Sequence, residues 1–235
     1  MLIDFVLRTP DQTADELVQS LVEGGIEPVV FDGNDNALGS ALTDSTITGF
    51  PASIYQDEAA ILFALGTNQI DAASDDLESW QAAITDFDGA IIANHPYDRN
   101  QGRPWGDRIY RLKGLTHVAT TSNAGERSRD KLAVSVATKR SLGCISGSMG
   151  DRNAVGKLAT FVDEDSINLE GLLSALSDHR TLNCELEDAN TPYVPREEPK
   201  ERPGFRAESD RDGGRDRGRG RGRDRGRQGR GPRRR

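Results

Sequence analysis

The sequence predicts an α/β domain over residues 1–187, followed by a basic, disordered tail over residues 188–235. Short apolar runs alternate with segments whose apolar residues recur at helical spacing, which is typical of strand–helix units on a parallel sheet. The 235 residues suffice for one domain of barrel size plus a tail. Six or seven strands are expected, in a barrel or an open doubly wound sheet. Four prolines then interrupt the periodic pattern: Pro192, Pro195, Pro199 and Pro203.

The chain opens with a βαβ unit. Leu2–Leu7 is a predicted strand, and Thr9 is the predicted N-cap of the following helix, with Pro10 as its first residue and Gln12 as the capping-box partner. Ile26–Phe31 is the second strand, and a right-handed crossover makes the two parallel. One apolar stripe runs along the helix between them: Ala14, Leu17, Val18, Leu21 and Val22.

The middle of the chain adds a hairpin and a buried helix. Residues 47–54 and 59–66 are predicted strands, joined through residues 55–58. Trp80 lies on the apolar face of the next helix, and we interpret it as a core residue. The later predicted elements are a strand at Val118–Thr121, a helix ending near Arg140, strands at Gly143–Ser146 and Lys157–Val162, a helix around Leu169–Leu176 and a strand at Thr181–Leu186.

A polar segment follows the central apolar run Ala90–Ala93. It holds His95, Asp98 and Arg99, and Pro96 prevents a helix there. The C-terminal ends of strands are where α/β barrels and sheets build their sites. The residues alone leave both a functional and a structural role open for His95. The two other histidines, His117 and His179, are interpreted as surface or helix-end residues.

Charge divides the chain into two opposite parts. Residues 201–235 contain 14 Arg and 6 acidic residues, a net charge of +8, which leaves 16 basic and 32 acidic residues in residues 1–200, a net charge of −16. Because an acidic body repels nucleic acid, we expect nucleic-acid binding to fall to the tail. The sequence lacks a signal peptide and an apolar stretch of about 20 residues, so a soluble cytoplasmic protein without membrane contact is expected. Cys144 and Cys184 match no zinc or redox spacing and are expected as buried free thiols.

Residues 1–186 resemble the PHP (polymerase and histidinol phosphatase) family. Asn94–Asp98 resembles its internal His-Pro motif, and Ser146–Gly156 resembles its Ser-Asp-Ala-His segment with the following Val-Gly step. Leu2–Thr9 stands where the family carries its opening His-x-His strand, and Arg180 resembles the basic turn after its last helix. The resemblance implies a distorted (βα)7 barrel of PHP type that hydrolyses phosphate esters with up to three bound metals.

The chain departs from the family at four strand ends. The His-x-His positions are Val6 and Arg8, and the family's Thr-Asp-His is replaced by Asp32-Gly33-Asn34. The glutamate of the third strand falls near Pro51, and the final Asp-x-His falls at Met149 and Asp151. Arg8 also places a fixed positive charge where a cation would bind. We therefore expect a catalytically impaired phosphoesterase homologue that needs no cofactor.

The alternative is an active metal-dependent phosphoesterase that acts on a phosphate ester or nucleotide. Its reduced site would use His95 and Asp151 as catalytic candidates, and a divalent Zn, Mn or Mg ion would be held by His95, Asp32 and Asp151. Turn chemistry alone also explains the carboxylates around Asp32. Metal analysis with a generic aryl-phosphate assay separates the two hypotheses.

If the resemblance holds, several residues project to the same end of the barrel. Guanidinium groups around an imidazole could bind phosphate or a nucleotide without metal, whereas pairing of these groups with Asp32, Asp35, Asp98 and Asp151 would replace the lost metals structurally. The candidate ligand-binding residues are Arg8, His95, Asp98, Arg99 and Arg152.

The tail alternates Arg with Gly or Asp over Arg211–Arg235 and contains no aromatic residue there. Such a segment buries too little apolar surface to offset its ordering entropy, so disorder is expected. It resembles the RGG-type tails of RNA-binding proteins, and we expect it to bind RNA or another polyanion without sequence specificity. A fold-back on the acidic body, or a role in solubility alone, is the competing hypothesis. The candidate contact residues are Arg215, Arg217, Arg219, Arg221, Arg223, Arg225, Arg227 and Arg230.

Overall fold

The computed structural model describes residues 1–70, 76–98, 102–122, 127–163 and 168–186. These residues form one mixed sheet with helices on its outside and across one end. The strands are β1 (Leu2–Phe5), β2 (Pro28–Asp32), β3 (Thr48–Asp57), β4 (Ala60–Gly66), β5 (Gly89–Ala93), β6 (His117–Ala119), β7 (Gly143–Ile145), β8 (Leu158–Val162) and β9 (Thr181–Glu185). The helices are α1 (Ala14–Glu23), α2 (Asn36–Thr43), α3 (Leu77–Ile84), α4 (Arg127–Arg140) and α5 (Leu169–Ser177).

The strand order is β7-β6-β5-β4-β3-β2-β1-β8-β9. The predicted α/β class and the parallel β1–β2 pair are confirmed. The expected (βα)7 barrel is wrong in strand number and direction: nine strands are present in the described residues, and four of the neighbouring pairs are antiparallel. For β3–β4 the physical reason is a two-residue turn, which allows only antiparallel pairing because no crossover fits into it.

The sheet curls until β7 and β9 meet, and side chains join these two strands. The Cys184 N–H donates to Ser146 Oγ at 3.2 Å, and the Thr181 hydroxyl donates to the Cys144 carbonyl at 3.2 Å. Thr160 on β8 supports the junction, because its hydroxyl donates to the Ser146 carbonyl at 2.6 Å and accepts from the Ser146 N–H at 2.9 Å. The result is a nearly closed, barrel-like sheet.

Three apolar clusters make up the core. The first lies inside the barrel, where Phe5 and Phe63 contact edge to face with ring centroids 6.1 Å apart, and α5 covers one end through Leu172 and Leu176. The second packs α3 and α4 against the outside of β4–β6. The third packs α1 and α2 against the outside of β1 and β2. Burial on both faces explains why most strands read as continuous apolar runs in the sequence.

Helix α1 starts later than the sequence analysis predicts. Its N-cap is Thr13, whose hydroxyl accepts from the Glu16 N–H while the Glu16 carboxylate accepts from the Thr13 N–H. Thr9 instead donates to the Asp11 side chain. Both threonines fit the capping-box spacing, with Gln12 or Glu16 three residues later. The ionised Glu16 gains from the positive end of the helix dipole, which a glutamine does not.

Several smaller predictions have clear outcomes. The β3–β4 hairpin is confirmed, although β3 extends to Asp57. Trp80 is confirmed as a core residue with 1% of its surface exposed. The two cysteines are free thiols, but each is half-buried rather than buried. Of the helices in the described residues, none has the length and apolar character needed to cross a bilayer. Residues 187–235, and with them the predicted tail, lie outside the described residues.

Candidate functional site

His95 follows β5 and is held by hydrogen bonds at both ring nitrogens. Its Nε2 contacts Asp130 Oδ1 at 3.1 Å, and its Nδ1 accepts from the Tyr97 N–H at 3.2 Å. Since Nδ1 is an acceptor, Nε2 carries the proton and donates to Asp130. The side chain is 5% exposed, and burial lowers the pKa of His95, opposed by the nearby Asp130 and Asp98 carboxylates. His95 therefore has no free lone pair for a metal ion in this arrangement.

Asp130 is the residue of this site that the sequence analysis missed. It lies in the first turn of α4, and its Oδ1 also accepts from the Ser122 N–H and from the Ser122 hydroxyl, each at 3.2 Å. One carboxylate thus connects α4 with the segments after β5 and after β6. The available signal was that Asp130 is the single acidic residue among the five basic ones of α4.

The structure brings three of the candidate residues to one small cavity. His95, Asp98 and Asp151 line a space of about 20 Å³ together with Ser122 and Ser148. A cavity needs roughly 10–15 Å³ to hold one water molecule. The cavity therefore has room for about one water and is too small for a phosphate group.

Asp151 begins a short 3-10 turn, Arg152–Ala154. Its Oδ1 accepts from the Asn153 N–H at 2.9 Å, so the carboxylate caps the turn. Capping explains an aspartate at this position without any ligand. Asp151 also lines a second pocket, a groove next to this cavity. It therefore lies between two pockets at the same end of the barrel, which we call the barrel mouth.

Arg8 forms a two-point ion pair with Asp35. Its Nε donates to Asp35 Oδ2 at 2.7 Å and its Nη2 donates to Asp35 Oδ1 at 2.9 Å, while Nη1 donates to the Gln12 carbonyl at 3.2 Å. Asp35 also caps α2 by accepting from the Leu38 N–H, and Arg8 holds the pKa of Asp35 below its usual range. Planar two-point pairing of this kind is the strong form of the contact. Arg8 thus connects the end of β1 to the start of α2.

Arg152 makes weaker ion pairs at the surface. It lies 3.3 Å from the Asp11 carboxylate and 3.8 Å from that of Glu16, with 47% of its side chain exposed. Arg8 and Arg152 both line a groove of about 430 Å³ beside the small cavity. The same groove is lined by the acidic residues Asp11, Glu58 and Asp151, so its positive charge is balanced.

The remaining candidates lie elsewhere. Asp32 ends β2, and its Oδ1 accepts from the Asn34 N–H at 2.9 Å. Its side chain thus stabilises the turn that follows the strand, as the Asp-Gly-Asn sequence indicates. It does not line the cavity of His95 and Asp151. Arg99 and the eight tail arginines, Arg215 to Arg230, lie outside the described residues.

The residues of the mouth do not fit a catalytic metal cluster. Across the described ranges no three His, Cys, Asp or Glu side chains form a group that could hold an ion. Both nitrogens of His95 bond to protein groups, and the Asp35 carboxylate is taken by the Arg8 guanidinium. A hydrolytic site instead needs imidazoles and carboxylates that converge with free lone pairs.

A further acid, which is buried, was also missed. Asp4 on β1 is fully buried: its Oδ1 accepts from the Ser148 N–H at 2.7 Å, and its Oδ2 has no partner. Burial raises the pKa of Asp4 to about 7, against the lowering effect of the Ser148 hydrogen bonds. An unpaired carboxylate inside a protein destabilises the fold. The sequence signal is a single acid within the apolar strand Leu2–Phe5.

Comparisons with known proteins give a distant similarity to solved structures. Neither the models of protein families nor the curated protein sequences include a match. Among solved structures, the chain is similar to the crystal structure of a presumed metal-dependent phosphoesterase from Bifidobacterium adolescentis, with 11% sequence identity and a TM-score of 0.46. The match covers 66% of this chain and 88% of that chain.

Proposed function

We propose that the body of the protein is a PHP-like barrel that has lost phosphoester hydrolysis, and that the Arg/Gly-rich tail binds RNA. The observation that carries the first half is the hydrogen bonding of His95. Nε2 donates to Asp130 and Nδ1 accepts from Tyr97, so the one imidazole at the mouth holds loops together. Binding a metal would require this residue to release one of these partners.

The charges around His95 support the same proposal. The Arg8–Asp35 pair and the exposed pairs of Arg152 neutralise the guanidinium groups internally. In this proposal, these ion pairs hold the end of the barrel together in place of the lost metals. The cavity of about 20 Å³ also leaves no room for a phosphoryl group next to His95.

One observation favours the alternative of an active phosphoesterase. His95, Asp98 and Asp151 line one cavity, so one imidazole and two carboxylates border the same small space, although their present arrangement does not form an ion site. A Zn, Mn or Mg ion there would supply an activated water when bound. For this, His95 would have to turn away from Tyr97 or Asp130.

The first prediction is that purified full-length protein does not hydrolyse an aryl phosphate. We expect rates at the level of buffer with added Zn²⁺, Mn²⁺ or Mg²⁺, and we expect D151N to leave them unchanged, because the mouth does not hold an ion in a hydrolytic geometry. Elemental analysis and an aryl-phosphate assay measure this. In the same samples, inorganic phosphate should leave the melting temperature unchanged, since Arg8 and Arg152 are already paired.

Hydrolysis that depends on a metal and is lost in D151N would establish the alternative. The exposed variant D86N removes one carboxylate far from the mouth and serves as the control for charge alone. If D86N loses the rate as well, the effect does not come from the Asp151 cavity.

The RNA-binding half of the proposal rests on charge. Residues 201–235 carry +8 and residues 1–200 carry −16, so attraction to a polyanion concentrates in the tail. Arginine contacts phosphates and stacks on exposed bases, and glycine lets the backbone follow the strand. The absence of aromatic residues from Arg211–Arg235 makes binding general rather than sequence-specific.

The second prediction is a steep salt dependence that belongs to the tail. With all eight candidate arginines in contact with single-stranded RNA, log K against log salt should have a slope approaching about −6. Replacing the eight arginines by glutamine in the full-length chain should remove most of this slope, whereas replacing them by lysine should retain it. A filter-binding series on a single-stranded RNA of mixed sequence measures it. Equal slopes for the glutamine variant and the wild type would contradict the proposal.

A further inference from the structure

The body of the protein carries most of its positive charge in one stretch of the sequence. Residues 99–140 contain 10 basic and 3 acidic residues, a net charge of +7, whereas residues 1–98 contain 1 basic and 18 acidic residues, a net charge of −17. Residues 141–200 contain 5 basic and 11 acidic residues, a net charge of −6. The total of −16 for the body therefore conceals one strongly basic segment.

The fold places this segment on one side of the barrel. The 3-10 helix Gly106–Arg111 and helix α4 both pack against the outside of β4–β6. Arg140 of α4 joins them, since it donates to the Ile109 carbonyl at 2.6 Å and to the Leu112 carbonyl. Helix α1, which has acidic but no basic residues, packs outside β1 and β2, at a distant position in the strand order. Basic and acidic elements thus cover different sides of the barrel.

Six cations make up this surface, which we call the basic face. Four belong to the loop after β5 and the 3-10 helix, and two belong to α4: Arg103, Arg108, Arg111, Lys113, Arg129 and Lys139. Lys139 follows Leu132 by about two helical turns, so it lies on the stripe of α4 that borders the loop. Arg129 is half-buried, and the other five are exposed.

Two arginines of the basic face are held by acids at the β3–β4 turn. Arg108 Nη2 donates to Asp57 Oδ2 at 2.9 Å, and Arg103 Nε lies 3.8 Å from Glu58 Oε2. Arg108 Cζ also lies 5.2 Å from the centroid of the Trp105 ring, which fixes a guanidinium plane that is 47% exposed. Among the described residues, no ion pair involves the remaining exposed cations of the face, Arg111, Lys113 and Lys139. Their charge is available to a partner.

A groove with an aromatic side chain opens on the basic face. It has a volume of about 360 Å³, and its lining includes Tyr97, Arg103 and Arg129. The Tyr97 hydroxyl donates to Asp107 Oδ1 at 3.2 Å, and the neighbouring Tyr110 is 40% exposed. Pockets for small ligands commonly measure about 300–1,000 Å³, so the groove has room for one nucleobase. The arginines of its lining lie where they can contact a phosphate next to that base.

We propose that the basic face binds single-stranded RNA. Arginine and lysine contact phosphates, and exposed tyrosine rings and guanidinium planes stack on unpaired bases. An anionic membrane offers phosphates but no bases, so the groove and the exposed Tyr110 favour nucleic acid. The acidic residues beyond the barrel interfere little, because exposed charges more than about 8 Å apart are largely screened at physiological salt. The inference goes beyond the proposed function, which assigns RNA binding to the tail alone, and it does not depend on the tail.

The test starts from the full-length protein in which the eight candidate tail arginines are glutamine, called the tail variant. With four exposed cations of the face in contact with single-stranded RNA, its plot of log K against log salt should have a slope of about −3. Adding R111Q and K113Q should reduce that slope by about 1.4. The matched pair R152Q and K157Q removes two exposed cations elsewhere and should leave the slope unchanged. Filter binding with an RNA of mixed sequence measures the slopes.

Tyr110 tests the stacking. In the tail variant, Y110A should weaken RNA binding by about 5–150-fold, the usual effect of losing one stacked base, and Y110F should retain binding. Inorganic polyphosphate has no bases, so Y110A should bind it as tightly as the tail variant does. If Y110A weakens neither, or both equally, the face does not stack on bases and the proposal fails.

The outcomes separate this site from the tail. A tail variant without any salt-dependent RNA binding would overturn the basic face and leave the tail assignment standing. A tail variant that keeps the whole wild-type slope, and loses part of it with R111Q and K113Q, would support the face and contradict the tail. Equal losses with R152Q and K157Q would overturn the proposal, because the binding would then follow total charge. Binding to phosphatidylserine vesicles without binding to RNA would also overturn it.

Discussion

Replacing Asp4 by asparagine should remove a fall in stability that the wild type shows between about pH 4 and pH 7. Asp4 is fully buried with one oxygen unpaired, and burial raises its pKa from 3.8 to about 7. Each pKa unit corresponds to about 1.4 kcal/mol, so the ionised carboxylate costs the fold roughly 4 kcal/mol at the upper limit. The neutral amide keeps an oxygen for the Ser148 N–H and avoids that cost.

The direction of the pH dependence follows from the number of protons that the folded and unfolded states bind. A carboxyl with a raised pKa in the fold is protonated more in the folded than in the unfolded state between the two pKa values. Stability therefore decreases as the pH rises through this window and levels off above about pH 7. The acidic body adds repulsion in the same direction. We expect D4N to be the more stable protein at pH 8 and the wild type to recover below pH 5.

Urea unfolding at a series of pH values measures this effect. The variant D86N removes the same charge from an exposed position and should retain the wild-type pH dependence. If the free energy of unfolding changes with pH by the same amount in D4N and in wild type from pH 5 to pH 8, Asp4 is not the titrating group.

The second large effect is expected at Thr160, which closes the barrel. In T160V the buried N–H and carbonyl of Ser146 both lose their partner while the side-chain volume stays nearly constant. An unsatisfied buried group costs about 1–3 kcal/mol, so the two groups together should lower the free energy of unfolding by about 2–6 kcal/mol. The transition midpoint in urea should fall accordingly.

T160S is the matched control, because it keeps the hydroxyl and removes only a methyl group. It should lose about 1 kcal/mol, the usual effect of deleting one buried methyl group. If T160V proves as stable as T160S, the hydroxyl does not hold β7 to β8, and the closure depends on packing alone.

Much of the fold follows from apolar periodicity. The βαβ opening, the β3–β4 hairpin and the burial of Trp80 are all predicted, because each depends on local spacing of apolar residues. The strand count and the three other antiparallel pairs, β1–β8, β4–β5 and β8–β9, are not, since pairing depends on which strands meet in space. The N-cap of α1 was misplaced for a local reason: two overlapping capping boxes compete, and the charged one forms.

The site was harder to predict than the fold. His95 was selected because it follows a strand, but the sequence does not show that Asp130, which lies 35 residues later, accepts a hydrogen bond from its Nε2. Asp4 was missed, and the interpretation of His117 as a surface or helix-end residue was wrong, since it is 1% exposed at the start of β6. A lone polar residue in a short strand can face solvent or the core, and neighbouring residues do not decide which. Each of these three residues contacts a partner distant in sequence: Asp130 for His95, Ser148 for Asp4 and His179 for His117.

The junction of β7 with β9 has a mechanical consequence. Along its length β9 is joined to β8 by a main-chain ladder, whereas its contacts with β7 are made by the side chains of Ser146 and Thr181. The chain runs from β9 directly into residues 187–235, so tension on the arginine-rich end would be applied to this strand first. The barrel would then open along the β7–β9 junction, where hydroxyl contacts stand in place of a main-chain ladder, and the nine strands would stay paired as one open sheet.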